Sequence, residues 1–394
     1  MSTFDMKRRT LIAGAAGAAA LAATGRRLQA MTMPSSPVSI NIVDVAGNLA
    51  LTQQPIQNYA NANPKYVSSV NFSKAPAPEL PGKIKAQQQA NRVDIDLVLT
   101  GTDALSAGID QGLWIKLIPD HSADLPKLEE IYLPQAWKME SLAQGFGVEV
   151  SYYPSGPLIE YAPERVKTVP STAQELMDWA KQNKNKFMYA RPANSGPGRT
   201  LLMGLPYILK DKDPMDPVNG WTNTWAYLEA ISPYIEYYPS GTTATMKELG
   251  DGTRDIIATT TGWDINPRVL GIVPKSAKVA TLAGFHWVTD AHYMCIPKGV
   301  KPEKVAVLLD LMNYLLTPKA QAYAYDQGYF YPGPAVKDVP ISLAPKASQD
   351  AIAEYGRTEY TAWIADNPKD LPLEPQTMVK AFQMWDQRIG SKKG

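Results

Sequence analysis

The 394-residue chain has a single cysteine, Cys295, and only three histidines, His121, His286 and His292. An intrachain disulfide is therefore impossible, and zinc sites built from clustered Cys and His are excluded. A surplus of one charge is missing as well, with 39 Lys and Arg against 38 Asp and Glu. Nucleic-acid binders normally show a basic excess or stripe, so capture of a polyanion is a poor fit. Long apolar runs are absent: a membrane span needs about 20 apolar residues, and the most apolar stretch, 305–316, contains Asp310 and Asn313. Gly-x-Ser-x-Gly, His-Glu-x-x-His and Ser-x-x-Lys do not occur, which leaves the common hydrolase nucleophile and zinc arrangements without support. The chain reads as a non-enzyme, with no catalytic residue, no cofactor and no metal ligand set.

What is present is a large apolar fraction, 45%, together with 33 prolines, 20 tyrosines and 9 tryptophans. Such a chain buries a sizeable core. Single cores seldom grow past roughly 250–300 residues, so two lobes are expected. Cys295 lies in the apolar run Tyr293-Met294-Cys295-Ile296 and is expected to be buried and inert.

The first thirty residues read as an export signal. Lys7-Arg8-Arg9 precedes a mildly apolar Ala/Gly run and a small-residue ending at Leu28-Gln29-Ala30, the layout of a secretory leader. Paired Arg8-Arg9, low hydrophobicity and the extra charges Arg26 and Arg27 favour the twin-arginine route. Removal of 1–30 takes away five basic residues and one acid, leaving 34 basic and 37 acidic. The expected product is a mildly acidic periplasmic protein.

Along the rest of the chain, strand and helix patterns alternate. Val38 to Val45 is β-branched and alternating, Tyr66 to Phe72 reads as a second strand, and the apolar centre of Asp94 to Thr100 reads as a strand buried on both faces. A Gly- and Pro-bracketed stretch from Gly145 to Tyr161 looks like a crossing between lobes. A helix then starts at Ser171 or Thr172, with Glu175 in its first turn. Phe187 to Ala190 is a short strand leading into the turn Asn194-Ser195-Gly196-Pro197-Gly198-Arg199-Thr200 and an apolar helix. Ile256 to Asp264 repeats the strand-then-turn pattern, and His292 to Pro297 reads as a return strand. The Pro-broken tail from Val339 is expected to wrap the outside.

Four stretches carry a resemblance. They are Asp94 to Gly101 with Ile109-Asp110-Gln111-Gly112-Leu113-Trp114; Leu158 to Val166 with Val169 to Ala180; Phe187 to Thr200; and His286-Trp287 with Tyr293 to Gly299. Together they resemble the type II extracellular solute-binding proteins of ABC importers, in the broad group of polyamine and ferric-iron binders. The resemblance implies an α/β fold of the Venus-flytrap kind, two mixed sheets flanked by helices and joined by two crossings. Lobe 1 would comprise 38–150 and 292–394, and lobe 2 would comprise 151–291. It also implies a monomer that traps a small solute in the interlobe cleft by hinge closure and docks on an ABC permease in the inner membrane. An exported enzyme on the same scaffold is the competing class, and ferric iron the competing ligand.

Candidate ligand-binding residues follow. Ser195, Gly196, Arg199 and Thr200 offer backbone amides, hydroxyls and a guanidinium at a helix start, a set suited to an anion. Trp263 and Asp264 pair a flat apolar face with a carboxylate, which suits a primary amine or a hydroxylated ring. Asp44, Asn48, Thr102 and Asp103 stand at strand ends, where ligands of open α/β sheets gather. Asp290 and His292 lie near the return crossing, and the hinge is the preferred role for His292. Tyr152-Tyr153 and Tyr237-Tyr238 are similar to the tyrosine pairs of ferric binders, but neighbours in a strand point to opposite faces; Tyr152 is the candidate from them. Tyr153, Trp263, Trp287, Tyr293 and Tyr331 are aromatic candidates for cleft walls. If Arg199 meets an anion, its removal abolishes binding; if the ligand is a polyamine, binding survives.

Overall fold

The computed structural model describes residues 31–76 and 79–393. The export signal read over 1–30 lies outside the described residues. Ten strands form two mixed sheets: β1 (Val38–Asp44), β2 (Val67–Lys74), β3 (Leu97–Gly101), β4 (Val148–Gly156), β5 (Leu158–Tyr161), β6 (Phe187–Met188), β7 (Ile256–Thr259), β8 (Lys278–Ala280), β9 (Trp287–Cys295) and β10 (Lys369–Asp370). The first sheet runs β10-β9-β3-β1-β2, with β4 also on β9, and the second runs β6-β7-β5-β8. This is the two-lobed mixed-sheet architecture that the resemblance implies.

The crossings lie side by side at one end of an antiparallel pair, where Gly156 of β4 faces Val288 of β9. β4 and β9 pair from Val148 against Met294 to Gly156 against Val288, and every residue of both strands is buried. From β4 the chain passes directly into β5 of the second sheet, and from β8 it returns into β9. The return strand expected over His292 to Pro297 begins earlier, at Trp287, and ends at Cys295, because its first half pairs with β4 while its second half pairs with both β3 and β4.

Each sheet has its own apolar core. Ile40, Ile42, Leu97, Val98 and Leu99 centre the first, and Cys295 is buried among them. Ile159, Ile256, Leu201, Trp221 and Trp225 centre the second. Local signals held: the helix Ala173–Gln182 is capped by Thr172, whose Oγ1 accepts the Glu175 amide at 3.0 Å, while Glu175 accepts the Ser171 amide at 2.8 Å.

The tail, expected with the first lobe, is shared: β10 joins the first sheet, while the segment after it packs in the second core. Leu373, Met378, Ala381, Trp385 and Ile389 sit in the second core, and Tyr360 packs with Leu158, Ile265 and Trp287. The helix Pro375–Arg388 presents this apolar stripe to the second lobe, with Trp385 Nε1 donating to Tyr189 at 3.1 Å, and also reaches Ser106 through Met378. Burial of that stripe, at roughly 25 cal/mol per Å² of apolar surface, outweighs leaving it on an outer wrap.

Candidate functional site

Several strands end in a turn that starts a helix, and these turns face one another between the sheets. They enclose a cavity of about 670 Å³. Residues 45–47 after β1, Gly101 at the end of β3, Asp103 just beyond it, and Glu79 line one side; residues 194–196, Arg199, 240–243 and Trp263 line the other. Tyr153 of β4 and His292 of β9 come from the paired crossings, and Tyr329-Phe330 completes the wall. Gly47 has φ +77°, and a Cβ there would collide with the Tyr329 hydroxyl, so the Tyr329 ring rests directly on the backbone turn.

Three of the helix starts around the cavity are already satisfied by side chains. Asp44 accepts the Asn48 and Leu49 amides at 2.9 and 3.1 Å, Ser195 Oγ accepts the Gly198 amide at 3.2 Å, and Thr260 caps the Trp263 amide. These contacts use the oxygens for folding. The helix Thr242–Gly250 begins without a side-chain cap, and its Thr242 hydroxyl meets Ser195 Oγ at 2.7 Å.

Arg199 is the hub that ties the lobes together. Its guanidinium donates to Asp103 at 3.1 Å and to Asp290. Asp290 also accepts Tyr153 Oη at 3.0 Å and Thr102 Oγ1 at 3.1 Å. Side-chain exposure is 5% for Arg199 and 1% for Asp290, so little water screens the pair. Burial opposes the Arg199 charge, but Asp290 and Asp103 outweigh it and hold the guanidinium protonated. Burial also pushes the Asp103 carboxyl up, with Arg199 pulling it back. Arg199 is thus committed to two carboxylates rather than held open for an anion.

His292 is buried, and its Nδ1 has no protein partner. Its ring stands edge-on to Phe330, centroids 4.1 Å apart. Burial pushes its pKa down to about 4, so at neutral pH a neutral imidazole lines the cavity.

The other sequence candidates fall elsewhere. Asp264 points away from the cavity that Trp263 lines. It is fully buried and accepts from Arg268 at 3.1 and 3.2 Å, from Arg357 at 2.9 and 2.7 Å, and from Tyr360 at 2.7 Å. A one-residue step on a helix turns a side chain by about 100°, which separates the two neighbours. Tyr152 packs into the first core while Tyr153 lines the cavity, the alternation of a strand. Tyr237 is exposed and bonded to Glu248, and Tyr238 is in the second core, so the tyrosines do not converge as an iron site needs. Thr200 spends its hydroxyl on the Gly196 carbonyl, Thr102 on Asp290, and Asn48 lies buried beneath Gly47 with Nδ2 unpartnered. Trp287, Tyr293 and Tyr331 pack in cores rather than in the cavity wall. Sequence reading missed Glu79, residues 240–243 and Tyr329-Phe330. The run Pro239-Ser240-Gly241-Thr242 carries the same polar-turn-before-helix signal as residues 194–200; the aromatic pair carries none. Among the described residues no group of three or more His, Cys, Asp or Glu is placed to hold a metal ion, and no helix is long and apolar enough to cross a membrane.

Comparison with known proteins gives a family match and a fold match. The model of a bacterial extracellular solute-binding protein family matches residues 54–354. No curated protein sequence matches significantly. Among solved structures, the chain is similar to a spermidine/putrescine ABC transporter substrate-binding protein from Streptococcus pneumoniae, with 16% identity, 88% of this chain and 99% of that one covered, and TM-score 0.58. It is similar to a periplasmic thiamin binding protein, with 12% identity, coverage of 92% and 99%, and TM-score 0.64. An apo ferric ion-binding protein from Pasteurella haemolytica gives 16% identity, coverage of 89% and 97%, and TM-score 0.59. At these identities the likeness is one of fold.

Proposed function

Because the chain belongs to the bacterial extracellular solute-binding protein family, we propose that it is the exported substrate-binding subunit of an ABC importer, carrying a small cationic organic solute to an inner-membrane permease. The charge balance of the cavity is the observation that carries the ligand class. Glu79 and Asp103 line it and Asp290 lies directly behind, against the single guanidinium of Arg199. Tyr153, Trp263, Tyr329 and Phe330 add aromatic surface, and an ammonium held against aromatic faces gains about 0.5–2 kcal/mol. His292, neutral there, adds no opposing charge. The same cavity volume falls within the range of small-molecule sites, about 300–1,000 Å³. The named ligands of the similar structures run from polyamines and thiamin to ferric ion and fructose-6-phosphate, so the ligand class rests on the cavity itself. Export by the twin-arginine route, suggested by Arg8-Arg9, belongs to the same proposal.

A thermal-shift screen of amines, amino acids, phosphonates, sugars and ferric ion tests it. A ligand present at a hundred times its Kd stabilises by about 2.7 kcal/mol, so an amine in the panel should raise Tm by several degrees. A shift confined to phosphonates or to ferric ion would overturn the ligand class.

A further inference from the structure

The cleft does not end at the first cavity. A second cavity of about 500 Å³ shares Gly47, Thr243, Trp263 and Tyr329 with it. Trp263 and Tyr329 stand edge-on, centroids 5.3 Å apart, and each lines both chambers. Beyond them the chemistry changes. Leu49, Met246, Pro267, Leu270 and Ile272 wall the smaller chamber, and its charged lining residues among those described, Lys74 and Asp326, are of opposite sign. Two carboxylates, Glu79 and Asp103, line the larger chamber against one guanidinium; the smaller one balances its charges and sets its apolar wall beside the neutral amides of Gln53, Asn266 and Gln327. Leu270 is 58% exposed, so the smaller chamber opens toward solvent, and an apolar side chain at the mouth of a cavity offers surface to an apolar part of a ligand.

We propose that the cleft takes a solute with a cationic head and an apolar, aromatic or alkyl extension: the head sits in the larger chamber, and the extension passes Trp263 and Tyr329 to lie against Leu270 and Ile272. This rests on the cationic reading of the larger chamber and adds the second half of the ligand. Trp263 then serves both ends, offering its ring to the ammonium on one side and to the extension on the other.

Isothermal titration of the whole protein with two matched pairs tests it: butane-1,4-diamine against its N-benzyl derivative, and tetramethylammonium against benzyltrimethylammonium. In at least one pair the benzyl compound should bind about tenfold tighter, the gain expected for burying part of a phenyl ring at about 25 cal/mol per Å². Leu270→Ser, a surface change that leaves both cores intact, should remove about threefold of that gain and leave the short partner unchanged. Equal affinities within both pairs overturn the extension and leave the cationic head standing. A benzyl gain that Leu270→Ser does not touch overturns it too, since the ring then rests elsewhere. No binding by any of the four overturns the cationic reading and the extension with it.

Discussion

Arg199→Ala should destabilise the folded protein by about 3–5 kcal/mol in urea unfolding at neutral pH, the cost of leaving buried charges without their partner. The physical reason is the position of the guanidinium. It neutralises Asp290, whose side chain is 1% exposed, and Asp103 across the cleft, and neither carboxylate has another cation within reach among the described ion pairs. The expectation from sequence was that this variant would report ligand charge. The structure changes its meaning, because removing Arg199 deletes one cation and frees two carboxylates at once, so its clean readout is stability. Arg199→Met combined with Asp290→Asn should recover part of the loss, since the most buried charge leaves with its partner, the Asn oxygen accepts from one of the Tyr153 and Thr102 hydroxyls and its amide donates to the other, while Asp103, 14% exposed, stays unpaired. A loss below about 1 kcal/mol, or no recovery in the double variant, would contradict the hub.

The second large effect is expected at Asp264. Asp264→Ala takes the carboxylate away from Arg268, Arg357 and the Tyr360 hydroxyl, leaving the two guanidiniums with backbone carbonyls alone, in a site where burial also pushes the neighbouring Glu160 carboxyl well above its usual range. The cost is again on the order of 3–5 kcal/mol. Solute affinity, measured by titration below the variant's melting point, should stay within about twofold of the parent. This pairing of outcomes separates the two neighbours: Asp264 fastens the helix Thr261–Val269 to the tail through Arg357 and Tyr360, while Trp263 faces the cavity. A large loss of affinity at unchanged stability would return Asp264 to the ligand.

These two residues show how far the sequence could be read. Strand patterns, the two lobes and the polar turn at 194–200 were legible because they depend on periodicity and on local chemistry, which the chain carries in order. The environment of Asp264 was not, because its partners Arg357 and Tyr360 lie more than ninety positions away. Tyr152 and Tyr153 were legible as an alternating pair, yet which of them faces the cleft depends on the register of β4 against β9. His292 was read as a hinge residue, and it does sit in the paired crossings, but its ring also lines the cavity. Arg199 was found by its turn, and its commitment to Asp103 and Asp290 became visible only when the lobes came together. The tail divides between the cores, with Val336, Val339 and β10 on the first lobe and Trp385 and Ile389 in the second core, because an amphipathic helix declares an apolar stripe without declaring which core receives it.

Gly241 gives the most direct test that the solute is held between the lobes. It lines the cavity, its backbone is extended at φ −168°, and a Cβ built there meets nothing within 4 Å. Gly241→Trp therefore fits the backbone without strain and fills open space in the cleft. With the strongest-shifting amine of the screen as probe, titration should show binding to the parent protein and at least a hundredfold weaker binding to Gly241→Trp, the loss of most of a ligand's contact surface being worth about 2.7 kcal/mol or more, while the unliganded Tm stays within a few degrees. Parental affinity in a folded Gly241→Trp protein would contradict the cleft as the site of capture.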